Sequence, residues 1–267
     1  MSRFAYDWLA LREPYDRAAR SAALADRFAK ALGPAPRLVD LGCGTGANLR
    51  YLAPRLAREQ RWFCLDHDPD LLARADAALG VWRGEIGWQG SVRFEPLDLA
   101  TTLESLALDG AGVTASALLD LTSAAWLDRL AERCRGAPVL MALSFDGRLS
   151  WRPALDEDEM IRDRFLAHQR TDKGFGPALG PDAPLHLVER LAGMGHNVVI
   201  APSDWQLGPA DRALLEAMLG GVIAAAGEIR QDARLADWAA QRRMQIARGE
   251  LGLTVGHLDL LALPAAA

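Results

Sequence analysis

Three glycines alternate with other residues directly after a short apolar run near the start of the chain. Residues 37–41 predict a buried strand, and Gly42, Gly44 and Gly46 follow it. Glycine lets a ligand approach the backbone closely, and open α/β sheets bind ligands where their strands end. The spacing therefore predicts a cofactor-binding turn between a strand and a helix, and a tight turn that binds nothing is the alternative.

A carboxylate in the same strand bears on which cofactor the turn would bind. Asp40 lies two residues before the first glycine, where a buried side chain is normally aliphatic. Its charge disfavours a pyrophosphate and favours a sulfonium ligand that carries an amino group. Read as Gly42-x-Gly44-x-x-Ala47, however, the loop fits the dinucleotide fingerprint, and Asp66 could hold a ribose hydroxyl in either case. The loop and Asp66 alone leave both cofactor classes open, and Asp40 favours the sulfonium.

The glycine loop also carries a resemblance to a known family. Residues 39–46 read Val-Asp-Leu-Gly-Cys-Gly-Thr-Gly. They match residue for residue the first signature of the class I S-adenosylmethionine-dependent methyltransferases, which the chain resembles over residues 36–145. The resemblance implies an α/β, Rossmann-like fold with a doubly wound, seven-stranded, mostly parallel sheet whose last strand is antiparallel. It implies S-adenosyl-L-methionine as the cofactor and S-adenosyl-L-homocysteine as the product.

The same resemblance assigns cofactor contacts to later strand ends. It implies that Asp66 holds the ribose hydroxyls, that Asp98 meets the adenine amino group and that Asp120 lies at the methionine end. Asp66 and Asp120 could instead bond the start of a following helix, and Asp98 could be a surface residue. His67 could stack near the adenine or face solvent. The residues predicted to bind the cofactor are Asp40, Gly42, Cys43, Gly44, Gly46, Asn48, Asp66, His67, Asp98, Leu99, Asp120 and Leu121.

The acceptor site is predicted from the N-terminal segment around Tyr15 and from two later segments of mixed polar and aromatic composition. Methyl transfer is an in-line displacement in which the acceptor supplies the nucleophile, so no covalent enzyme residue is expected. Residues 145–151, read as a loop after the fifth strand, and residues 168–177 have the composition of functional loops, although solvated connections are the alternative. His168 is the leading candidate for a general base, and Asp146 is a second candidate catalytic residue. The residues predicted to bind the acceptor are Tyr15, Phe145, Arg148, Trp151, Arg170 and Lys173, of which Arg170 and Lys173 could hold an acidic group.

Alternating strands and helices must position these residues. The pattern implies a mostly parallel sheet with helices on both faces. Phe4, Trp8 and Leu11 share one helical face at the start of the chain. The predicted strands are 37–41, 62–65, 92–95, 112–119, 139–144, 198–201 and 253–263, and the predicted helices include 47–58, 69–79, 123–133, 156–170 and 182–194. Residues 1–267 are predicted to form one domain with an N-terminal helical lid (1–35), a core (36–203 and 251–264) and a helical insert (204–250) that caps the acceptor or forms a dimer face.

Composition excludes several classes of protein. Half of the 267 residues are apolar, 24% are charged, and the formal net charge is −5, which argues against disorder and against a nucleic-acid partner. No apolar run is long enough to span a membrane, and no signal peptide is recognised. Cys43, Cys64 and Cys134 form no zinc set, so reduced thiols in a cytoplasmic protein without a metal are expected.

The sequence therefore predicts a cytoplasmic methyltransferase that acts on a small molecule. A homodimer is open, and so are three other functions. These are an NADP-dependent oxidoreductase, an enzyme that uses the sulfonium cofactor without transferring methyl, and a catalytically silent protein that binds the cofactor. The acceptor atom is not predicted, because one fold serves many acceptors.

Overall fold

The computed structural model describes residues 6–265, so Phe4 of the predicted first helix lies outside the described residues. Within this range eight strands form one sheet. The strands are β1 (Arg37–Leu41), β2 (Arg61–Asp66), β3 (Ser91–Pro96), β4 (Gly112–Ser116), β5 (Val139–Arg152), β6 (His196–Pro202), β7 (Trp205–Leu207) and β8 (Gly252–Pro264).

The order of the strands is β3-β2-β1-β4-β5-β8-β6, and β7 pairs with β8 beyond the end of β6. The pairs from β3 to β5 are parallel, whereas β8 runs antiparallel to β5, β6 and β7. This confirms the predicted fold class, a doubly wound and mostly parallel sheet whose last strand is antiparallel. The sheet has eight strands instead of seven because the three-residue strand β7 lies inside the segment 204–250, which was predicted as purely helical.

Ten helices surround the sheet in the described part of the chain. Polar side chains cap several of them: Ser21, Asp68, Ser123 and Asp232 each accept a hydrogen bond from a backbone N–H in the first turn. The helices are α1 (Tyr6–Ala19), α2 (Ala22–Ala31), α3 (Ala47–Leu52), α4 (Pro69–Ile86), α5 (Leu99–Thr102), α6 (Ala124–Arg133), α7 (Asp158–Gln169), α8 (Ala183–Gly193), α9 (Arg212–Ile229) and α10 (Ala233–Arg248).

Alternate residues of the strands supply two separate cores, one on each face of the sheet. Leu38, Leu140 and Leu261 pack with α2, α3 and α4 on one face. Val39 and Met141 point the other way and pack with α6 and α8. Because both faces are covered, the central strands read as continuous apolar runs, which is what made them recognisable in the sequence.

A third core lies beyond the parallel part of the sheet. The distal half of β5 and the first half of β8 pack with α7, α9 and α10 around the buried rings of Trp151, Trp205 and Trp238. Trp8 of α1 packs against the same cluster. The N-terminal helix and the segment 204–250 therefore share one core with two strands of the sheet.

The largest difference from the prediction is the length of β5. The segment 145–151 was predicted as a loop, and this is wrong: it continues the strand to Arg152 and pairs with β8. Gly147 suggested a turn, but it lies at a register shift within the pairing, where the strand continues. The other strands lie within a few residues of their predicted bounds, β4 ending at Ser116 instead of 119.

Neither a membrane-spanning helix nor a metal cluster occurs in the described residues. No helix between residues 6 and 265 combines the length and the apolar character needed to cross a bilayer. In the same range no three His, Cys, Asp or Glu side chains are grouped as ligands for a metal ion.

Candidate cofactor and acceptor site

A cleft, here called the strand-end cleft, opens where β1, β2, β3 and β4 end. Its empty volume is about 1050 Å³. The carboxyl ends of parallel strands are where open α/β sheets bind ligands. The loop after β1 contributes residues 42–45, 47 and 48 to the wall, and the ends of β2 and β4 contribute residues 66–67 and 116–118. The rest of the wall includes residues 9, 12 and 16 of α1 and residues 173 and 175 of the loop after α7.

The glycine loop has a backbone that side chains would strain. Gly42, Gly44 and Gly46 have φ angles of 64°, 52° and 77°, in the left-handed region that glycine tolerates best. A Cβ on Gly42 would lie 3.2 Å from a methyl carbon of Leu118 across the cleft. The loop is held in place by the Cys43 N–H, which donates to the Leu65 carbonyl at 2.9 Å. A close approach of a ligand to this backbone is sterically possible only because the glycines are there.

Asp40 is fully buried at the start of this loop. The Asn48 amide donates to its Oδ1 at 2.6 Å, and the Arg20 guanidinium donates to the Asn48 Oδ1 at 2.7 Å. The other oxygen, Oδ2, has no hydrogen-bond partner in the described residues. Burial raises the pKa of Asp40 to about 7, against the opposing effects of the Asn48 hydrogen bond and of Arg20. Asp40 itself does not line the cleft, and Asn48, which donates to it, is the wall residue that connects this buried carboxylate to a ligand in the cleft.

Asp66, at the end of β2, joins two loops while lining the cleft. Its Oδ2 accepts the Gly44 N–H at 2.8 Å and its Oδ1 accepts the Asp68 N–H at 3.0 Å. A carboxylate has lone pairs beyond these two bonds, so Asp66 could still accept from ribose hydroxyls. Asp68 caps α4, the role that was the alternative for Asp66. His67 also lines the cleft, and its Nδ1 lies 3.3 Å from the Asp66 Oδ1.

The two later carboxylates lie behind the wall, and their neighbours lie in it. Asp98 caps α5 by accepting the Ala100 N–H at 2.9 Å, and Leu99 lines the cleft. Asp120 is buried in a 3₁₀ turn, and burial raises its pKa to about 6. Leu121 of the same turn lines the cleft. Direct contact of Asp98 with adenine and of Asp120 with the methionine end stays a prediction.

Most of the side chains predicted to bind the acceptor have partners elsewhere. Phe145 and Trp151 are buried in the third core. Arg148 forms ion pairs with Asp146 and Asp204, at 2.5 and 2.7 Å. The remaining partners are Asp211, which accepts the Tyr15 hydroxyl at 2.9 Å, and Asp182, which accepts from Arg170 at 2.9 Å.

Lys173 is the member of that set that lines the cleft, and His168 lies behind it. The His168 Nε2 is 3.0 Å from a carboxylate oxygen of Glu228, and both ring nitrogens are 3.4 Å from the Lys173 Nζ. His168 itself is not part of the wall, and neither is Asp146, which is held by Arg148. The role of His168 as a general base and the catalytic role of Asp146 stay predictions.

Sequence reasoning did not identify several polar or strained positions of the wall, among them Arg12, Asp16 and Ala117. Arg12 and Asp16 of α1 are ion-paired at 2.9 Å, and the Trp205 indole N–H donates to Asp16 at 3.1 Å. Their spacing of four residues on a helix was the available signal. Ala117, after β4, has a φ of 53°, a strained value for a residue with a side chain. Nothing in the local sequence marks it.

No family model matches the sequence, and no curated protein matches it. A SAM-dependent methyltransferase from Geobacter sulfurreducens in complex with S-adenosyl-L-homocysteine is similar in structure at 18% identity, with 98% of this chain and 99% of that chain covered and a TM-score of 0.48. The cyclopropane synthase MmaA2 from Mycobacterium tuberculosis is similar at 14% identity, with 90% and 83% covered and a TM-score of 0.47.

A third similar structure is the geranyl diphosphate C-methyltransferase from Streptomyces coelicolor, at 11% identity, with 91% of this chain and 80% of that chain covered and a TM-score of 0.45. Likenesses at this level do not carry a function from one chain to another. The fold of the present chain is established by its own strand order and register, and its function is inferred from its own residues.

Proposed function

We propose that the protein is an S-adenosylmethionine-dependent methyltransferase that acts on a small molecule. The observation that carries this proposal is the combination of the glycine loop with Asp40 beneath it. The loop admits a ligand to the backbone, and the buried carboxylate with an unsatisfied oxygen favours a ligand with positive charge. Asp66, in the wall at the next strand end, supports a ribose in the same ligand.

The residues of the cleft fit the parts of this cofactor. Asn48 of the wall, which donates to the buried Asp40 behind it, would place that carboxylate near the amino group, and Asp66 would hold its ribose hydroxyls. Leu71, Leu97 and Leu99 supply an apolar wall for the adenine. When bound, the cofactor supplies an electrophilic methyl group on a sulfonium.

The protein's own contribution to catalysis would be positioning and the exclusion of water. An in-line displacement requires the acceptor atom about 3 Å from the methyl carbon, aligned with the leaving sulfur. Leu9, Arg12 and Asp16 of α1 cover one side of the cleft, and Phe175 covers another. Phe175 is held edge-on against the buried ring of Trp126, with a centroid separation of 5.1 Å. A partly covered, largely apolar cleft of this kind limits the access of water to the cationic cofactor.

The electrostatics of the loop favour this function over an NADP-dependent oxidoreductase. A pyrophosphate beside the loop would lie near the buried carboxyl group of Asp40. A carboxylate beside a phosphate site raises the energy of the bound anion. A reducing, cytoplasmic location and a homodimer remain predictions.

Isothermal titration calorimetry with S-adenosylhomocysteine and with NADP tests the proposal. We expect micromolar or tighter binding of S-adenosylhomocysteine and no measurable binding of NADP. The reverse result would overturn the proposal. Mass spectrometry of reaction products then separates methyl transfer, which adds a methyl group to the acceptor, from other uses of the same cofactor.

A further inference from the structure

Lys173 lies on a loop that forms part of the cleft wall and whose backbone is fixed by hydrogen bonds. The Asp172 carboxylate accepts the N–H groups of Gly174 and Gly176, at 2.7 and 3.1 Å. At the end of the loop the Leu179 N–H donates to the Thr122 carbonyl, in the segment after β4. The ammonium group is therefore presented to the cleft from the β4 side by a fixed backbone.

The ammonium group of Lys173 does not use all of its hydrogen-bond donors within the described structure. The Thr171 hydroxyl accepts one of its N–H groups at 2.9 Å. Both ring nitrogens of His168 lie 3.4 Å from the Lys173 Nζ, and the His168 Nε2 also lies 3.0 Å from a Glu228 carboxylate oxygen. Among residues 6–265 no carboxylate lies within ion-pair distance of Lys173. Glu228 is paired with His168, and its charge opposes the lowering of the Lys173 pKa by burial. The third N–H has no partner in the described structure.

The other strong cation of the wall is already compensated. Arg12 donates two hydrogen bonds to Asp16 at 2.9 and 3.2 Å, and it stacks over the ring of Trp205 at 4.9 Å from the centroid. Asp66 is the remaining wall carboxylate, and it is bonded to the glycine loop. Lys173 therefore supplies the uncompensated positive charge within the described wall of the strand-end cleft.

We propose that the acceptor carries an anionic group, a carboxylate or a phosphate, and that Lys173 holds this group. This rests on the proposed function above. A partly buried ammonium with a free N–H forms a charge-assisted hydrogen bond to an oxyanion, which is stronger than a neutral hydrogen bond. The sequence predicted the same role for Arg170, but Arg170 is paired with Asp182. His168 is then a positioning residue that orients the ammonium.

Chemical labelling can test this, because Lys30 and Lys173 are the two lysines of the chain. Pyridoxal 5′-phosphate is an anionic aldehyde that forms an imine with a lysine amine, and borohydride reduction fixes it for peptide mass mapping. Lys30 is exposed on α2 and serves as the internal control. In the presence of S-adenosylhomocysteine we expect Lys173 to be labelled at least about fivefold faster than Lys30, because the cleft concentrates the anion. Neutral pyridoxal should show a smaller preference.

Protection experiments then identify the group that Lys173 binds. Benzoate or phenyl phosphate should slow the labelling of Lys173, whereas benzamide, which matches benzoate in shape without its charge, should not. The more protective of the two anions distinguishes a carboxylate from a phosphate. Equal protection by benzamide, or no protection by either anion, would overturn the proposal.

The Lys173→Gln variant separates the acceptor from the cofactor. Its affinity for S-adenosylhomocysteine should equal that of the Lys30→Gln control within about twofold, since a group that serves the acceptor contributes nothing to the other ligand. A loss of affinity confined to Lys173→Gln would assign the lysine to the cofactor and overturn the proposal. If neither wild type nor variant bound S-adenosylhomocysteine, the proposed function would fail, while labelling without that ligand would still decide whether Lys173 binds an anion.

Discussion

Asp40 is buried with one of its two oxygens unpartnered, and this makes the stability of the unliganded protein depend on pH. Burial raises its pKa to about 7, whereas a carboxyl in the unfolded chain titrates near 4. The folded state therefore binds the proton more tightly than the unfolded state. The contribution of Asp40 to stability is fully present below about pH 4 and is lost as the pH rises to about 7. This loss of stability is the cost of keeping a carboxylate beside the site proposed for the amino group of the cofactor.

The Asp40→Asn variant tests both the loss of stability that the buried carboxylate causes and its contribution to cofactor binding. It should be more stable than wild type by up to about 4 kcal/mol at about pH 8 and should lose that advantage below about pH 4. Its affinity for S-adenosylhomocysteine should fall at least about tenfold, because the carboxylate that favours the amino group is gone. Urea denaturation at the two pH values and calorimetry measure these effects. Asp76→Asn, at an exposed position of α4, is the control, and an identical pH slope in wild type and Asp40→Asn would contradict the assignment.

Gly44→Asp should abolish binding of S-adenosylhomocysteine. Gly44 has a φ of 52°, its N–H donates to the Asp66 carboxylate, and a new carboxylate would repel that group. Calorimetry should show a loss of affinity of at least about 100-fold, which corresponds to about 2.8 kcal/mol. Gly110→Asp is the matched control, since Gly110 has a φ of 67° with nothing within 4 Å of its Cβ position. Binding by Gly44→Asp that equals binding by this control would remove the loop from the site.

Residue types and spacing predict the part of the cleft that is local in sequence. The glycine loop and Asp66 follow predicted strands directly, and strand ends are close together in any parallel sheet, so their meeting at the cleft needed no further information. Arg12 and Asp16 reach the same cleft only through the packing of α1 against β7 and α9, which short-range patterns do not encode. The left-handed backbone of Ala117 likewise depends on its surroundings and not on its residue type.

The helix α1 is the element that closes the strand-end cleft, and charged contacts hold it to both sides. Glu13 accepts two hydrogen bonds from Arg50 of α3, at 3.0 and 2.6 Å, and Arg50 also donates to the Thr45 carbonyl in the glycine loop at 2.7 Å. On the other side, Asp16 accepts from Trp205 of β7. The position of α1 is therefore coupled to the loop that would bind the cofactor.

Removing the Glu13 contact should loosen this cover without unfolding the protein. Glu13→Ala should raise the dissociation rate of S-adenosylhomocysteine about three- to tenfold, since a bidentate but partly exposed ion pair contributes modestly. Stopped-flow displacement measures the rate, and the melting temperature should change little. Asp7→Ala, at an exposed position of α1, should leave the rate unchanged. Equal rates in Glu13→Ala and wild type would show that α1 does not control access.

Strand bounds were predictable wherever both faces of the strand are buried, as in β1 and β2. The extension of β5 was not, because its distal half alternates buried and exposed residues around Gly147 and pairs with β8, more than 100 residues away in sequence. Apolar residues at Leu149 and Trp151 carried a weak signal of that alternation. The glycine among polar residues favoured the prediction of a loop. The pairing with β8, which depends on the tertiary structure, makes the segment a strand.

At the scale of the whole molecule, the third core joins segments that are distant in sequence. Trp238 of α10 is fully buried, its ring meets Trp151 of β5 edge-on with a centroid separation of 5.6 Å, and its indole N–H donates to Asp158 at 2.8 Å. Arg242 stacks over both rings, at 5.4 and 5.6 Å from their centroids. Since β5 also runs through the centre of the sheet, damage to this core should reach the parallel strands.

Trp238→Ala should therefore destabilise the entire protein in one step. Loss of a fully buried indole costs about 3–5 kcal/mol. Far-UV circular dichroism and tryptophan fluorescence should report the same shifted urea midpoint with one transition, because the segment 204–250 has no core of its own. Trp88→Ala, at a half-buried ring that packs on Trp82 at the other side of the sheet, should cost less and keep a single transition. Two separated transitions in Trp238→Ala, with only the first one shifted, would instead show that residues 204–250 are an independent folding unit. Because α1 packs on that unit, α1 would then unfold together with it and not with the sheet.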